Sequence, residues 1–238
     1  MLETKKVASV ISLLNNIQRD YAPAALATSF SIEDMVLLDV ISKHAPEIGV
    51  FTLDTGRLPA ETYDLMQRTH ERYGAVVEVY APDCSVLAEY VQAQGPNAFY
   101  NSVEQRKQCC AMRKLVPLKR ALSNREAWIT GLRREQSVTR NDIQRMEWDA
   151  VHGIPKFNPL LDWSEDEVWA YIRENDVPFN ELYTQGYTSI GCAPCTRAIT
   201  EQEDIRAGRW WWESPETKEC GLHVRQESKA KDTETAEA

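Results

Sequence analysis

Ala24-Ala25-Leu26-Ala27-Thr28-Ser29 is an uncharged, mostly apolar run that reads as a short buried strand. It ends in the polar loop Ser29-Phe30-Ser31-Ile32-Glu33-Asp34, and a helix rich in Val, Leu and Ile follows to about Ser42. The same strand–loop–helix grammar recurs around it. Upstream, Val7, Val10, Ile11, Leu14 and Ile17 fall at helical spacing. Downstream, residues 48–53 predict a strand ending at Asp54-Thr55-Gly56-Arg57, and Pro59 suits the first turn of a helix running to about Tyr73. Residues 76–80 predict a third strand and 86–94 a further helix. Residues 103–122 are mostly helical in pattern, with a kink or division expected at Pro117. A fourth strand, 127–130, ends in Gly131 and the basic Leu132-Arg133-Arg134. Strands alternating with helices imply an α/β fold, a parallel sheet flanked by helices. Ligands of such sheets bind beyond the carboxyl ends of the strands. The loops at Ser29, Asp54 and Gly131 are therefore the expected nucleotide pocket.

Beyond Asn141 the texture changes. Pro155, Pro159 and Pro178 punctuate loops, and Asp162-Trp163-Ser164-Glu165-Asp166-Glu167 reads as the capped start of a helix through Ile172. Residues 202–212 read as a further short helix. From about Gln226 the chain lacks large apolar residues, which predicts disorder. At 238 residues, 43% hydrophobic and 26% charged, the composition fits one sizeable domain with a small appendage. No run approaches the roughly 18 apolar residues needed to cross a bilayer, and Met1-Leu2-Glu3-Thr4-Lys5-Lys6 opens no signal-peptide core. No membrane partner and a cytoplasmic location are the expectations. A net charge of −9 argues against nucleic acid as a partner. Basic residues nonetheless concentrate between Arg106 and Arg145, a local patch suited to a small anion.

In a reducing compartment, clustered thiols read as metal ligands or redox groups. Cys109-Cys110 and Cys192-Ala193-Pro194-Cys195 contribute four thiols from distant parts of the chain. Adjacent cysteines chelate a single ion poorly, because both sulfurs must reach one point. An iron–sulfur cubane offers a separate iron to each. A structural zinc site stays open as the rival. Lys114, four residues after Cys110, would share its helical face. Cys84 reads as a small buried residue beginning a helix. Trp210-Trp211-Trp212 reads first as core packing beside the cysteines and second as a docking surface.

Taken in order, Cys109-Cys110, Gly191-Cys192-Ala193-Pro194-Cys195 and Glu219-Cys220-Gly221-Leu222-His223 resemble the bacterial assimilatory branch of the adenylyl-sulfate and phosphoadenylyl-sulfate reductase family. Supporting segments are the Ser29 loop, Leu53-Asp54-Thr55-Gly56-Arg57 and Ile129-Thr130-Gly131-Leu132-Arg133-Arg134-Glu135-Gln136-Ser137, so the likeness spans about residues 25–225. The resemblance implies an adenine-nucleotide α-hydrolase-like sheet and one [4Fe–4S] cluster on Cys109, Cys110, Cys192 and Cys195. It also implies reduction of adenylyl sulfate to sulfite and AMP in sulfate assimilation, with thioredoxin or a glutaredoxin-like protein as reductant. Cys220 would be the nucleophile, carrying a cysteine S-sulfonate, with His223 and Lys218 near enough in sequence to favour its thiolate. Lys114 would link the cluster to the sulfate.

Ser29, Phe30 and Ser31 resemble the pyrophosphate loop of ATP pyrophosphatases, with Phe30 and Ser31 in place of its glycines. Leu53, Thr55 and Gly131 are expected contacts to adenine and ribose. Arg133, Arg134 and Arg140 would belong to an arginine loop over the substrate, and Arg206 and Arg209 to its sulfate-binding pair. The expected organisation is a nucleotide and cluster domain over 1–212, a catalytic arm over 213–225 and a tail over 226–238. A homo-oligomer is compatible with all of this. The alternatives are a phosphoadenylyl-sulfate or dual-specificity reductase and, further off, a non-catalytic zinc-stabilised nucleotide module.

Overall fold

Strands β1 (Ala24–Thr28), β2 (Gly49–Leu53), β3 (Val77–Tyr80), β4 (Ala127–Ile129), β5 (Met146–Asp149) and β6 (Ile154–Phe157) form one sheet in the order β3-β2-β1-β4-β6-β5. The structure, a computed structural model, describes residues 4–74, 77–136 and 143–214. Arg140, Cys220, His223 and the expected arm and tail from Pro215 onward lie outside the described residues. Every strand pair is parallel except β5 with β6, which is antiparallel. Among the described residues no helix is long and apolar enough to cross a membrane.

Alternation along each strand sorts its side chains between two layers. Ala24, Leu26, Val50 and Ile129 face a core shared with α1 (Thr4–Asp20), α2 (Ile32–His44) and α7 (Glu165–Asn175), including Leu14, Ile17, Leu37, Val168 and Ile172. Their neighbours Ala25, Phe51 and Trp128 face the opposite layer, filled by Leu118, Ala121 and Leu122 of α6 (Val116–Leu122). Each fully buried leucine contributes about 1.5–3 kcal/mol of transfer free energy. Behind the first layer the Asp39 carboxylate, fully buried, accepts from Tyr73 Oη at 2.9 Å, Tyr171 Oη at 2.7 Å and Lys43 Nζ at 2.7 Å. That network ties α2 to α3 (Ala60–Tyr73) and α7.

The predicted helices up to α7 and the first four strands are present with boundaries shifted by a few residues. Ser164 and Glu167 make the expected capping box at the start of α7. The 103–122 helix is divided near Pro117, as expected. α5 (Val103–Cys110) passes through a π-helical stretch, Ala111–Leu115, into α6, and Pro117 sits in the first turn of α6, where its missing N–H costs little. Cys84 does begin α4 (Cys84–Gln94), yet it is exposed rather than buried. Residues 202–212 form turns rather than a helix, closed by an isolated bridge between Thr196 and Arg209. β5 and β6, not anticipated, extend the sheet beyond β4.

Candidate functional site

A cavity of about 240 Å³ opens at the carboxyl ends of β1, β2 and β4, where the chain order of the sheet reverses direction around β1. Ser29, Ser31, Leu53, Thr55, Lys114, Gly131, Arg133, Arg206 and Arg209 line it. Nine of the positions expected from the sequence are thus brought together, from segments as far apart as β1 and the last turns. Two expected positions are not in its wall. The Phe30 ring lies in the core, 2% exposed. Arg134 is on the surface, where its guanidinium pairs with Asp162 at 2.6 Å.

The loop after β1 owes its shape to a few local interactions. Phe30 has φ 61°, a left-handed conformation that suits glycine and strains a bulky residue. Burial of its ring offsets that strain, which is how the loop dispenses with the glycine of related phosphate loops. Ser31 caps α2, its hydroxyl accepting from the Asp34 N–H at 3.3 Å, so the first turn of the helix, residues 32–34, is held in the cavity wall. The Asp34 carboxylate accepts from the Ser29 N–H at 2.7 Å and the Ser29 hydroxyl at 2.9 Å. Burial pushes the Asp34 carboxyl up to about 6, against the lowering effect of those Ser29 hydrogen bonds. Arg133 is buried and paired with Glu33, Nε to Oε1 2.8 Å, so its charge is neutralised at the cavity wall. At Gly131 any Cβ would collide with the Asp34 carboxylate, a close approach that only glycine permits.

A second, smaller cavity of about 20 Å³ adjoins the first. Its wall contains Cys109, Cys110, Cys192 and Cys195, together with Arg57, Phe99, Arg106, Arg113, Lys114 and Pro194. Lys114 lines both cavities. Thr55 also joins them: its hydroxyl accepts from the Arg57 N–H at 3.2 Å and is placed to donate to Cys192 Sγ at 3.3 Å. The Arg57 carbonyl accepts from the Ala193 N–H at 2.8 Å, and the Arg113 Nη1 donates to the Thr55 carbonyl at 2.6 Å. The loop after β2 is therefore stitched to both cysteine segments. Gly191, just before the first cysteine of the pair, leaves room for the Arg209 guanidinium, which a Cβ there would strike.

The thiols differ electrostatically. Burial pushes Cys195 up to about 12, reinforced by Cys192 and Cys110. Burial raises Cys109 as well, partly countered by Arg113. At Cys192 burial is outweighed by Lys114, the Thr55 hydroxyl, Arg209 and Arg113, and the thiol lies below its usual range. Among the described residues no three His, Cys, Asp or Glu side chains converge on a single metal ion. The four thiols instead share one cavity against an apolar wall of Phe99 and Trp210. Buried among them, the indole Nε1 of Trp210 has no hydrogen-bond partner among the described residues. Four thiols in the wall of one small cavity are the donor set of a sulfur-rich metal cluster, so the residues present fit such a group. The tryptophan run divides: Trp210 packs on the cysteines, while Trp211 is 49% exposed.

Sequence reasoning missed Arg57, Arg106 and Arg113 as walls of the cysteine cavity, and Ser189, Gly191 and Glu165 as walls of the larger one. Arg57 and Gly191 stood in quoted segments, Arg106 and Arg113 in the basic patch and Glu165 in a helix start, but nothing in the sequence marked these or Ser189 as walls of their cavities.

Residues 23–198 match the model of the phosphoadenosine phosphosulfate reductase domain. The chain is 56% identical over 219 residues to the adenosine 5'-phosphosulfate reductase of Allochromatium vinosum, covering 92% of this chain and 86% of that protein. It is 52% identical to the adenosine 5'-phosphosulfate reductase of Burkholderia cepacia, covering 92% and 88%. Among solved structures, a phosphoadenylyl-sulfate reductase from Candida auris in a phosphate complex superposes with a TM-score of 0.70 at 26% identity, over 84% of this chain and 98% of that one. An FMN adenylyltransferase from Candida glabrata, with a TM-score of 0.57 at 15% identity over 87% and 71%, shares the fold.

Proposed function

Because this chain belongs to the phosphoadenosine phosphosulfate reductase family, we propose that it reduces adenylyl sulfate to sulfite and AMP in sulfate assimilation, as a cytoplasmic enzyme. The observation that carries this reading is the shared wall of the two cavities. A phosphate-type loop at Ser29 and Ser31 contributes to the larger cavity, Lys114 supplies positive charge where that cavity meets the cysteines, and Arg206 and Arg209 add more in the wall of the larger cavity. That arrangement suits a nucleotide whose far end is an oxyanion.

The chemistry assigned to the residues is as follows. The Cys220 thiolate attacks the sulfur of adenylyl sulfate; a sulfur–sulfur bond forms, the sulfur–oxygen bond breaks, and AMP leaves with its electron pair. Lys114, Arg206 and Arg209 hold the sulfate oxygens and stabilise charge that develops on them. A thiolate of reduced thioredoxin then attacks Cys220 Sγ, and sulfite departs with the electrons of the sulfur–sulfur bond. The second thioredoxin thiol resolves the mixed disulfide and returns Cys220 as a thiol. Both electrons come from thioredoxin. Cys109, Cys110, Cys192 and Cys195 would hold a [4Fe–4S] cluster, which supplies fixed charge and rigidity beside Lys114. His223 and Lys218 would bias Cys220 toward its thiolate.

The test is intact-mass analysis after incubation with adenylyl sulfate and no reductant. A sulfite-sized adduct on Cys220, removed by thioredoxin, is expected; no adduct would sink the reading. Competing the substrate with its 3'-phosphorylated counterpart distinguishes the phosphoadenylyl-sulfate alternative.

A further inference from the structure

The last described turn is tied to both halves of the cysteine set. Arg106, on α5 three residues before Cys109, and Glu213 have side chains only 1% and 3% exposed. They form a two-pronged pair, Nε to Oε1 at 2.8 Å and Nη2 to Oε2 at 2.9 Å. The Arg106 guanidinium also lies 4.5 Å from the centroid of the Trp210 ring, and that of Arg209 lies 4.8 Å from it. Trp210 itself has φ 41°, a left-handed backbone that a bulky residue keeps only when its surroundings enforce it. The Trp210 N–H donates to the Cys195 carbonyl at 3.1 Å, and the Trp210 carbonyl accepts from the Glu213 N–H at 2.8 Å. The turn is thus clamped on one side by the Cys192–Cys195 segment and on the other by the helix that carries Cys109 and Cys110.

None of the chemistry assigned above uses this pair. A buried ion pair is an inefficient source of stability, since desolvation of both charges offsets most of their attraction; its effect is to specify one arrangement over others. The arrangement specified here is that of the turn over 210–213, the last described turn before Cys220 in the sequence. We infer that Arg106 and Glu213 moor the root of the C-terminal segment, as positioning residues that set how often the Cys220 thiolate meets the sulfate end of the larger cavity. This rests on Cys220 being the nucleophile. Glu213 precedes Cys220 by seven positions, so an extended chain reaches at most about 25 Å from the pair. Over so short a tether the local concentration of the thiolate depends steeply on where the tether begins. Here it begins against Trp210, which touches the cavity wall at Arg209.

Two variants of the full-length, cluster-loaded protein test the mooring. Glu213→Gln keeps the shape and removes the charge, and Arg106→Lys keeps the charge and removes the two-pronged geometry. With saturating adenylyl sulfate and no reductant, single-turnover S-sulfonation of Cys220 should slow by roughly tenfold in either, while the Kd for AMP stays within about twofold of wild type. Iodoacetamide alkylation of Cys220, read by peptide mass, should change rate as well. A role confined to the shape of the cysteine cavity would slow S-sulfonation and leave the alkylation rate of Cys220 unchanged. The inference is overturned if both variants alkylate Cys220 at the wild-type rate, or if AMP affinity falls with the rate. Should wild type gain no sulfo adduct, the assigned reaction falls, and the alkylation rates still decide the mooring. Where Glu213→Gln lowers Tm, Arg106→Lys carries the comparison.

Discussion

The larger cavity takes its shape from loops at the ends of β1, β2 and β4, whereas the smaller one is walled by side chains from four separate segments around Arg57, Phe99, α5 with its π-helical continuation, and the Cys192–Cys195 turn. The first is a product of topology: any parallel sheet with this strand order leaves a crevice where its connections diverge. The second exists because particular side chains meet, and it depends on links such as the Arg57 carbonyl to the Ala193 N–H and Thr55 to Cys192. The loop after β2 builds part of both, with Thr55 in the wall of the larger cavity and Arg57 in that of the smaller. Lys114 and Thr55 are where the two become one site.

The comparison can be broken by separating binding from chemistry. Cys220→Ser should abolish sulfite formation while AMP affinity is retained; residual turnover measured by sulfite release would remove the division between a binding cavity and a reacting thiol. Next in size is the buried pair beneath the larger cavity. Glu33→Ala leaves the buried Arg133 guanidinium with only the longer contacts to Glu135 at 3.5 Å and Glu165 at 4.0 Å, and should cost about 3 kcal/mol in chemical denaturation, the low end for a broken buried pair. A loss within about 0.5 kcal/mol, the range of ordinary surface substitutions, would mean that the cavity floor is not braced by this contact. Lys114→Ala, at the junction, should slow S-sulfonation of Cys220 by about a hundredfold, or roughly 2.7 kcal/mol, with the fold and AMP affinity intact. An unchanged single-turnover rate would disconnect the two cavities functionally.

The smallest effect is a pH dependence confined to the larger cavity. Asp34, held near 6, competes for the Ser29 N–H and hydroxyl that a phosphate would also accept. As pH falls through about 6 the carboxyl takes up a proton, its repulsion is lost and the Ser29 donors are released. The affinity of the Cys220→Ser protein for adenylyl sulfate should therefore rise several-fold from about pH 8 to pH 5, a span over which its phosphosulfate stays ionised. Asp34→Asn should flatten that profile, as read by titration calorimetry; a profile of the same slope would assign the effect elsewhere.

Much of the nucleotide side was legible because it rests on local rules. The run from Ala24 to Thr28 could only be a buried strand, Ser31 and Ser164 announced helix starts, and the strand–helix alternation implied where the loops would gather. The antiparallel β5–β6 edge escaped notice, since Pro155 and the polar, exposed pattern of β5 resemble a loop. Arg206 and Arg209 reached the cavity wall as expected, but on turns rather than a helix, so their spacing was no guide to how they got there.

What the sequence determined by itself was the order of elements through β4, the parallel part of the sheet and the choice of four thiols as one set, because periodicity, capping and residue chemistry act over a few neighbours. Only the tertiary structure decided that Arg57 and Arg113 would wall the thiols, that Phe30 would turn inward, and that Glu213 would find Arg106. Those outcomes depend on which buried charges and rings come within a few ångströms across the chain, and desolvation makes such pairings decisive only once the segments have packed.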